Sequence, residues 1–166
     1  MTIPQSQELY SIHPGEWYFG ADYARLHTLL GSCVALTAWH PELKIGGLCH
    51  YLLPASPYDR ATPENQLRAL SDGRYADNAL GAMKAAMLRY GELKEFHIAV
   101  FGGGDMFSYS GTTSIGFDNI AYARQWLVKE RLQPYRVDVG GAISRSLTLV
   151  IATGEIHVKH YEMNNG

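Results

Sequence analysis

Residues 29–54 read LLGSCVALTAWHPELKIGGLCHYLLP. Leu29 to Trp39 is apolar, interrupted at Gly31-Ser32, and Lys44 to Leu53 is a second run closed by Pro54. Between them, His40-Pro41-Glu42-Leu43 places proline at the second position of a turn, which suits its fixed φ. The spacing predicts two strands joined by a short turn and paired as a hairpin. Parity then decides which side chains meet. With an even-numbered loop such as Pro41-Glu42, opposed residues have numbers summing to an odd value, and Cys33 and His50 share a face. A two-residue loop sets them directly opposite, with Cβ atoms about 5 Å apart. A one-residue change in loop length brings Cys49 to that face instead and leaves His50 behind.

Outward from this hairpin, Glu16 to Gly20 reads as a short aromatic strand behind the turn His13-Pro14-Gly15. Ala55 to Gly73, rich in Pro, Ser, Asp and Asn, reads as a long surface loop. A helix is expected from about Tyr75 to Tyr90, where Leu80, Met83 and Met87 recur at helical spacing and Gly91 follows as a stop. Glu95 to Phe101 reads as a buried strand running into Gly102-Gly103-Gly104. A second helix is expected from Phe117 to Leu132, with Pro134 beyond its end. Tyr135 to Val139 is a strand entering Gly140-Gly141, and Leu147–Ile151 with Glu155–Lys159 form a hairpin about Thr153-Gly154. Many strands and two separated helices predict a mixed α/β (α+β) single domain, with mostly antiparallel or mixed packed sheets and two main helices outside them. The expected organisation is a loosely ordered segment over residues 1–12, one domain over 13–160 and a tail over 161–166.

The chain has 166 residues, 46% of them hydrophobic and 18% charged, with a net charge of −2. That balance supplies no basic field for nucleic acid or an anionic membrane surface. No apolar run approaches the roughly 18 residues of a membrane span, and the N-terminus lacks the basic start and apolar core of a secretory signal. Two cysteines make no disulfide framework, so a cytoplasmic location is expected.

Cys33 follows Gly31-Ser32, where glycine permits a tight turn and close approach of a substrate to the backbone. A free cysteine more often packs as a small hydrophobe. His50 changes that weighing, because a thiol with an unperturbed pKa of about 8.5 needs a base beside it to act as a nucleophile at neutral pH. The other histidines form no His-x-x-x-His pair and there is no Cys-x-x-Cys, so no metal site is expected. The glycine run at 102–104 lacks the following Gly-Lys-Ser/Thr of a phosphate cradle; it reads as a strand exit that admits a neighbouring backbone. Asp77 and Asn78 read as helix-capping residues.

Several blocks, in order, resemble the CheD family of chemoreceptor glutamine deamidases: Leu30-Gly31-Ser32-Cys33-Val34-Ala35, Gly46-Gly47-Leu48-Cys49-His50-Tyr51-Leu52-Leu53-Pro54, Arg74-Tyr75-Ala76-Asp77-Asn78-Ala79, Phe101-Gly102-Gly103-Gly104-Asp105-Met106-Phe107, Ile115-Gly116-Phe117-Asp118-Asn119-Ile120 and Asp138-Val139-Gly140-Gly141. The resemblance implies the family's cysteine-hydrolase fold, with Cys33 as nucleophile and His50 as base, no cofactor, and a reaction that turns protein glutamine into glutamate through a thioester. It implies chemoreceptor cytoplasmic helices as substrate and a CheC-like phosphatase as a second partner. Family members can carry a threonine six residues before the cysteine; here that position is His27, with Thr28 beside it, so either is a candidate for a third role. Ala142 stands where members often have asparagine. A non-catalytic adaptor that binds receptors or the phosphatase is the alternative.

Overall fold

The computed structural model describes residues 8–105 and 114–162. Its strands are β1 (Leu9–Ser11), β2 (Trp17–Gly20), β3 (Arg25–Leu30), β4 (Val34–His40), β5 (Ile45–Tyr51), β6 (His97–Gly102), β7 (Arg136–Val139), β8 (Ile143–Val150) and β9 (Ile156–Glu162). Its helices are α1 (Pro63–Ser71), α2 (Ala76–Leu88) and α3 (Ile115–Lys129). The strands form two sheets, ordered β2-β5-β4-β6-β7 and β1-β3-β8-β9. All pairings are antiparallel except β6 with β7 and β1 with β3.

Side-chain alternation along β4 and β5 explains the layering. Val34, Leu36 and Ala38, with Cys49 and Tyr51, enter a core shared with Ala76, Leu80, Met83 and Met87 of α2 and Ala123 and Leu127 of α3. Ala35 and Leu48 enter a second core with Leu26 and Leu30 of β3, Phe101 of β6 and Leu147 and Leu149 of β8. The result is three layers: helices, a five-stranded sheet and a four-stranded sheet. β4 is buried along its whole length, which accounts for its nearly unbroken apolar run. Among the described residues, no helix is long and apolar enough to cross a membrane.

Four expectations need correction. The β4–β5 connection has four residues, not two, because His40 pairs with Ile45. The buried His40 ring accepts the amides of Glu42 and Leu43, and Lys44 takes a left-handed φ of 57°, so the chain wraps a wider turn. Residues 63–71 of the expected loop form α1, with Thr62 accepting from the Asn65 amide and Pro63 in the first turn. This helix buries no residue: its two leucines, Leu67 and Leu70, are both exposed. Neither Asp77 nor Asn78 is the N-cap of α2, which is Tyr75: Asp77 lies in the first turn, where it accepts from the Asn78 amide as well as from Ser56, and Asn78 donates to Tyr58 Oη and Asp72 O. Finally, at the ends of the expected domain, Leu9–Ser11 pair in parallel with β3, Ile12 is buried and β9 runs on to Glu162, whereas residues 1–7 of the expected loose segment and 163–166 of the expected tail lie outside the described residues.

Candidate active site

Cys33 lies one residue before β4, after the bend at Gly31-Ser32, and its half-buried side chain packs against the core between the two sheets. His50 lies on β5 opposite Ala35, and so faces the same layer. The even parity expected of the hairpin holds, but the four-residue loop displaces the register by two. Cys33 is therefore a diagonal neighbour of His50 and not its direct partner, at a Cβ separation of roughly 7 Å for such pairs. Cys49 points the opposite way and is completely buried in the helix-facing core.

A third side chain joins them from the other sheet. Along β3, Leu26, Thr28 and Leu30 are buried while His27 and Leu29 face outward, so period-two alternation selects Thr28 over His27. Thr28 Oγ1 donates to Ile12 O at 2.6 Å and stands 2.7 Å from His50 Nδ1. The hydroxyl has one hydrogen, and the Ile12 carbonyl takes it. His50 Nδ1 must then carry a proton and donate to Thr28, which leaves Nε2 with the free lone pair. Nε2 is buried and has no partner among the described residues, so the resting imidazole and the Cys33 thiol share a layer without a hydrogen bond between them.

Burial sets the charges. It pushes the His50 imidazole down to about 4 and the Cys33 thiol up, and His13 and Glu16 act on His50 in opposing directions. Both groups are thus neutral at pH 7. Cys49 is pushed up to about 12 by the same cause, completely buried in the helix-facing core.

The nucleophile turn is held from behind. Gly103 N donates to Cys33 O at 2.8 Å, Gly104 N to Gly31 O at 2.8 Å, and Asn119 Nδ2 to Ser32 O at 3.1 Å. A Cβ at Gly102, whose φ is +108°, would collide with Cys33 O, so the glycine exit does admit a neighbouring backbone. The buried Arg145 ties the two glycine exits together by donating to Gly102 O, Gly140 O and Asp138. The sequence assigns neither Asn119 nor Arg145 a role, although Asn119 lies in the Ile115–Ile120 block and each is a polar side chain at an inward position of its element.

A cleft of about 270 Å³, lined by Ile12, His13, His27, Thr28, Leu29 and His50 among others, opens beside the imidazole. A larger one of about 410 Å³ lies between α1 and α2, away from these groups. The smaller one holds Thr28 and His50, and Cys33 is in the lining of neither. Among the described residues, no three His, Cys, Asp or Glu side chains cluster as a metal site.

Residues 52–160 match the family model for CheD chemotactic sensory transduction. The chain is 37% identical to a probable chemoreceptor glutamine deamidase CheD 1 of Chromobacterium violaceum, over 89% of this chain and 75% of that protein. It is also 37% identical to the probable chemoreceptor glutamine deamidase CheD of Pseudomonas syringae pv. tomato, over 89% of this chain and 86% of its relative. A counterpart from Pseudomonas syringae pv. syringae is 36% identical over 98% and 90% of the two chains. The family-model match begins at Leu52, just beyond His50, whereas the full-length relatives cover nearly the whole chain.

Proposed function

Because the chain belongs to the CheD family, we propose that it is a chemoreceptor glutamine deamidase in which Cys33 is the nucleophile, His50 the general acid and base, and Thr28 the group that orients the imidazole. The observation that carries the site assignment is the Ile12–Thr28–His50 relay, which fixes the tautomer and leaves the basic Nε2 in the layer that holds Cys33.

Neutral resting groups imply that the proton moves during attack rather than before it. Cys33 Sγ bonds to the glutamine carboxamide carbon as its proton passes to His50 Nε2. The imidazolium returns that proton to the departing nitrogen, the C–N bond breaks and ammonia leaves. Water then attacks the thioester carbon and gives a proton to His50. The C–S bond breaks, the proton returns to sulfur and glutamate is released. The carbonyls of Gly31, Ser32 and Cys33 are engaged from behind, which holds the turn in place, and the oxyanion is assigned to the Ser32 and Cys33 amides of that turn.

Each turnover places a new negative charge on a receptor helix, where like charges repel. Thr28 in its relay with His50 supports turnover over a non-catalytic adaptor. The proposal extends to a CheC-like phosphatase as second partner and to the cytoplasm as location, both on the family resemblance. Incubation with receptor cytoplasmic fragments, with glutamine-to-glutamate conversion mapped by mass, tests the activity: conversion at defined helix positions supports it. No conversion, or efficient hydrolysis of free glutamine instead, overturns it.

A further inference from the structure

Asn119 of α3 is completely buried, and its side-chain amide reaches two chain segments at once. Nδ2 donates to Ser32 O at 3.1 Å and to Leu52 O at 2.8 Å. Ser32 immediately precedes Cys33, and Leu52 lies two residues beyond His50. A terminal amide has two hydrogens, and both are used here; turned over, it would set an oxygen against two carbonyl oxygens. The link is reciprocated, because Tyr51 Oη donates to the Asn119 backbone carbonyl at 2.6 Å and fixes the helix against β5. Asn119 Oδ1, by contrast, is buried with no partner among the described residues. An amide that leaves its own acceptor unpaired is a poor device for stability alone. Its two donors are both committed to the carbonyls that flank the thiol and the imidazole.

We propose that Asn119 is a positioning residue that fixes the separation of Cys33 from His50 by bridging the nucleophile turn to the end of the histidine strand. It touches neither the reacting thiol nor the imidazole and acts through the backbone of both. The inference rests on the assignment of Cys33 and His50 as nucleophile and base. Spacing matters at this site because the two groups are diagonal neighbours from separate segments, so a small displacement of the turn breaks the proton transfer.

The test is a double-mutant cycle read by iodoacetamide alkylation of Cys33 at neutral pH, mapped by mass, which needs no receptor substrate. In the wild-type background His50→Gln is expected to slow alkylation at least ~10-fold. In Asn119→Leu, close to asparagine in size but without donors, His50→Gln is expected to change the rate less than twofold. Asn119→Gln keeps both donors on a longer stem and should recover part of the histidine dependence; a role in filling space predicts the reverse order. Asn119→Ser, with one donor, supplies the same reading if the leucine variant fails to fold. Asn78→Ala, which removes a buried asparagine of α2, controls for lost stability and should retain the full dependence. An equal His50→Gln effect in wild type and the Asn119 variants overturns the positioning role alone. Absence of that effect in wild type overturns it together with the Cys33–His50 pair.

Discussion

On the helix-covered face of the five-stranded sheet, Val34, Leu36, Cys49 and Tyr51 meet the apolar side chains of α2 and α3. On the opposite face, one residue along each strand, Ala35 and His50 share a layer with Cys33 and with Thr28 of the second sheet. Each face holds a cysteine, and both thiols are raised by burial. They differ in what lies nearby: Cys49 sits in a core of apolar side chains with Tyr51, whereas Cys33 shares its layer with an imidazole whose free nitrogen has no other partner among the described residues. Burial alone makes a thiol inert; burial beside an unengaged base makes one that ionises when its electrophile arrives.

The largest expected effect that tests this contrast is at Cys33. Cys33→Ala should lower deamidation of receptor fragments ~10⁴-fold or more with the fold intact, and Cys33→Ser should be almost as damaged, since a hydroxyl is far less ionised than a thiol. Steady-state turnover alongside circular dichroism checks both.

Next comes His50→Gln, expected to reduce turnover ~10²-fold or more, the scale of a lost general base. It also has a signature in stability. In the folded protein the imidazole stays neutral down to about pH 4, against an ordinary value of 6.5, so between these values the unfolded chain binds the extra proton. Stability is therefore full above pH 6.5 and falls as pH drops through that window, by about 3 kcal/mol from this residue. Urea unfolding at pH 7 and pH 5 should show a smaller acid loss in His50→Gln than in wild type. By the same depression, the acid limb of kcat/KM should lie below the ordinary histidine range.

A more modest effect is expected at Thr28. Thr28→Val keeps the shape but leaves His50 Nδ1–H and Ile12 O unpaired; turnover should fall about 10-fold and stability by about 1–3 kcal/mol. Thr28→Ser should restore most of both, and His27→Ala, whose ring lines the cleft but makes no bond to His50, should be clearly less damaging than Thr28→Val. Equal damage from His27→Ala and Thr28→Val would refute the selection of Thr28 by strand parity.

The smallest effect belongs to the other face. Cys49→Ala should cost stability by about 1 kcal/mol through lost packing and leave turnover nearly unchanged, measured by thermal melting and the deamidation assay.

Much of this contrast was legible in residues 29–54. Two apolar runs around a proline turn gave the hairpin, and period-two alternation put Cys49 and His50 on opposite faces whatever the turn length. The register was not legible, because the four-residue turn depends on the His40 ring accepting two amides, a tertiary arrangement with no pattern of its own. β3 was hidden for a different reason. Its apolar residues, Leu26, Leu29 and Leu30, do not alternate, since Thr28 occupies an inward position and Leu29 an outward one. The polar residue that breaks the pattern is the one that orients the base, so the functional side chain itself erased the strand signal. Asn119 escaped similarly: α3 was recognisable from Ile120, Ala123, Trp126 and Leu127, but nothing local says that its asparagine crosses to Ser32 and Leu52.

The most direct measurement of the central claim is a mass-mapped labelling of both cysteines in the native protein at neutral pH, repeated with His50→Gln. Cys33 is expected to label, Cys49 to stay unlabelled until the protein unfolds, and loss of the imidazole to slow Cys33 alone. Faster labelling of Cys49, or a Cys33 rate indifferent to His50, contradicts that claim.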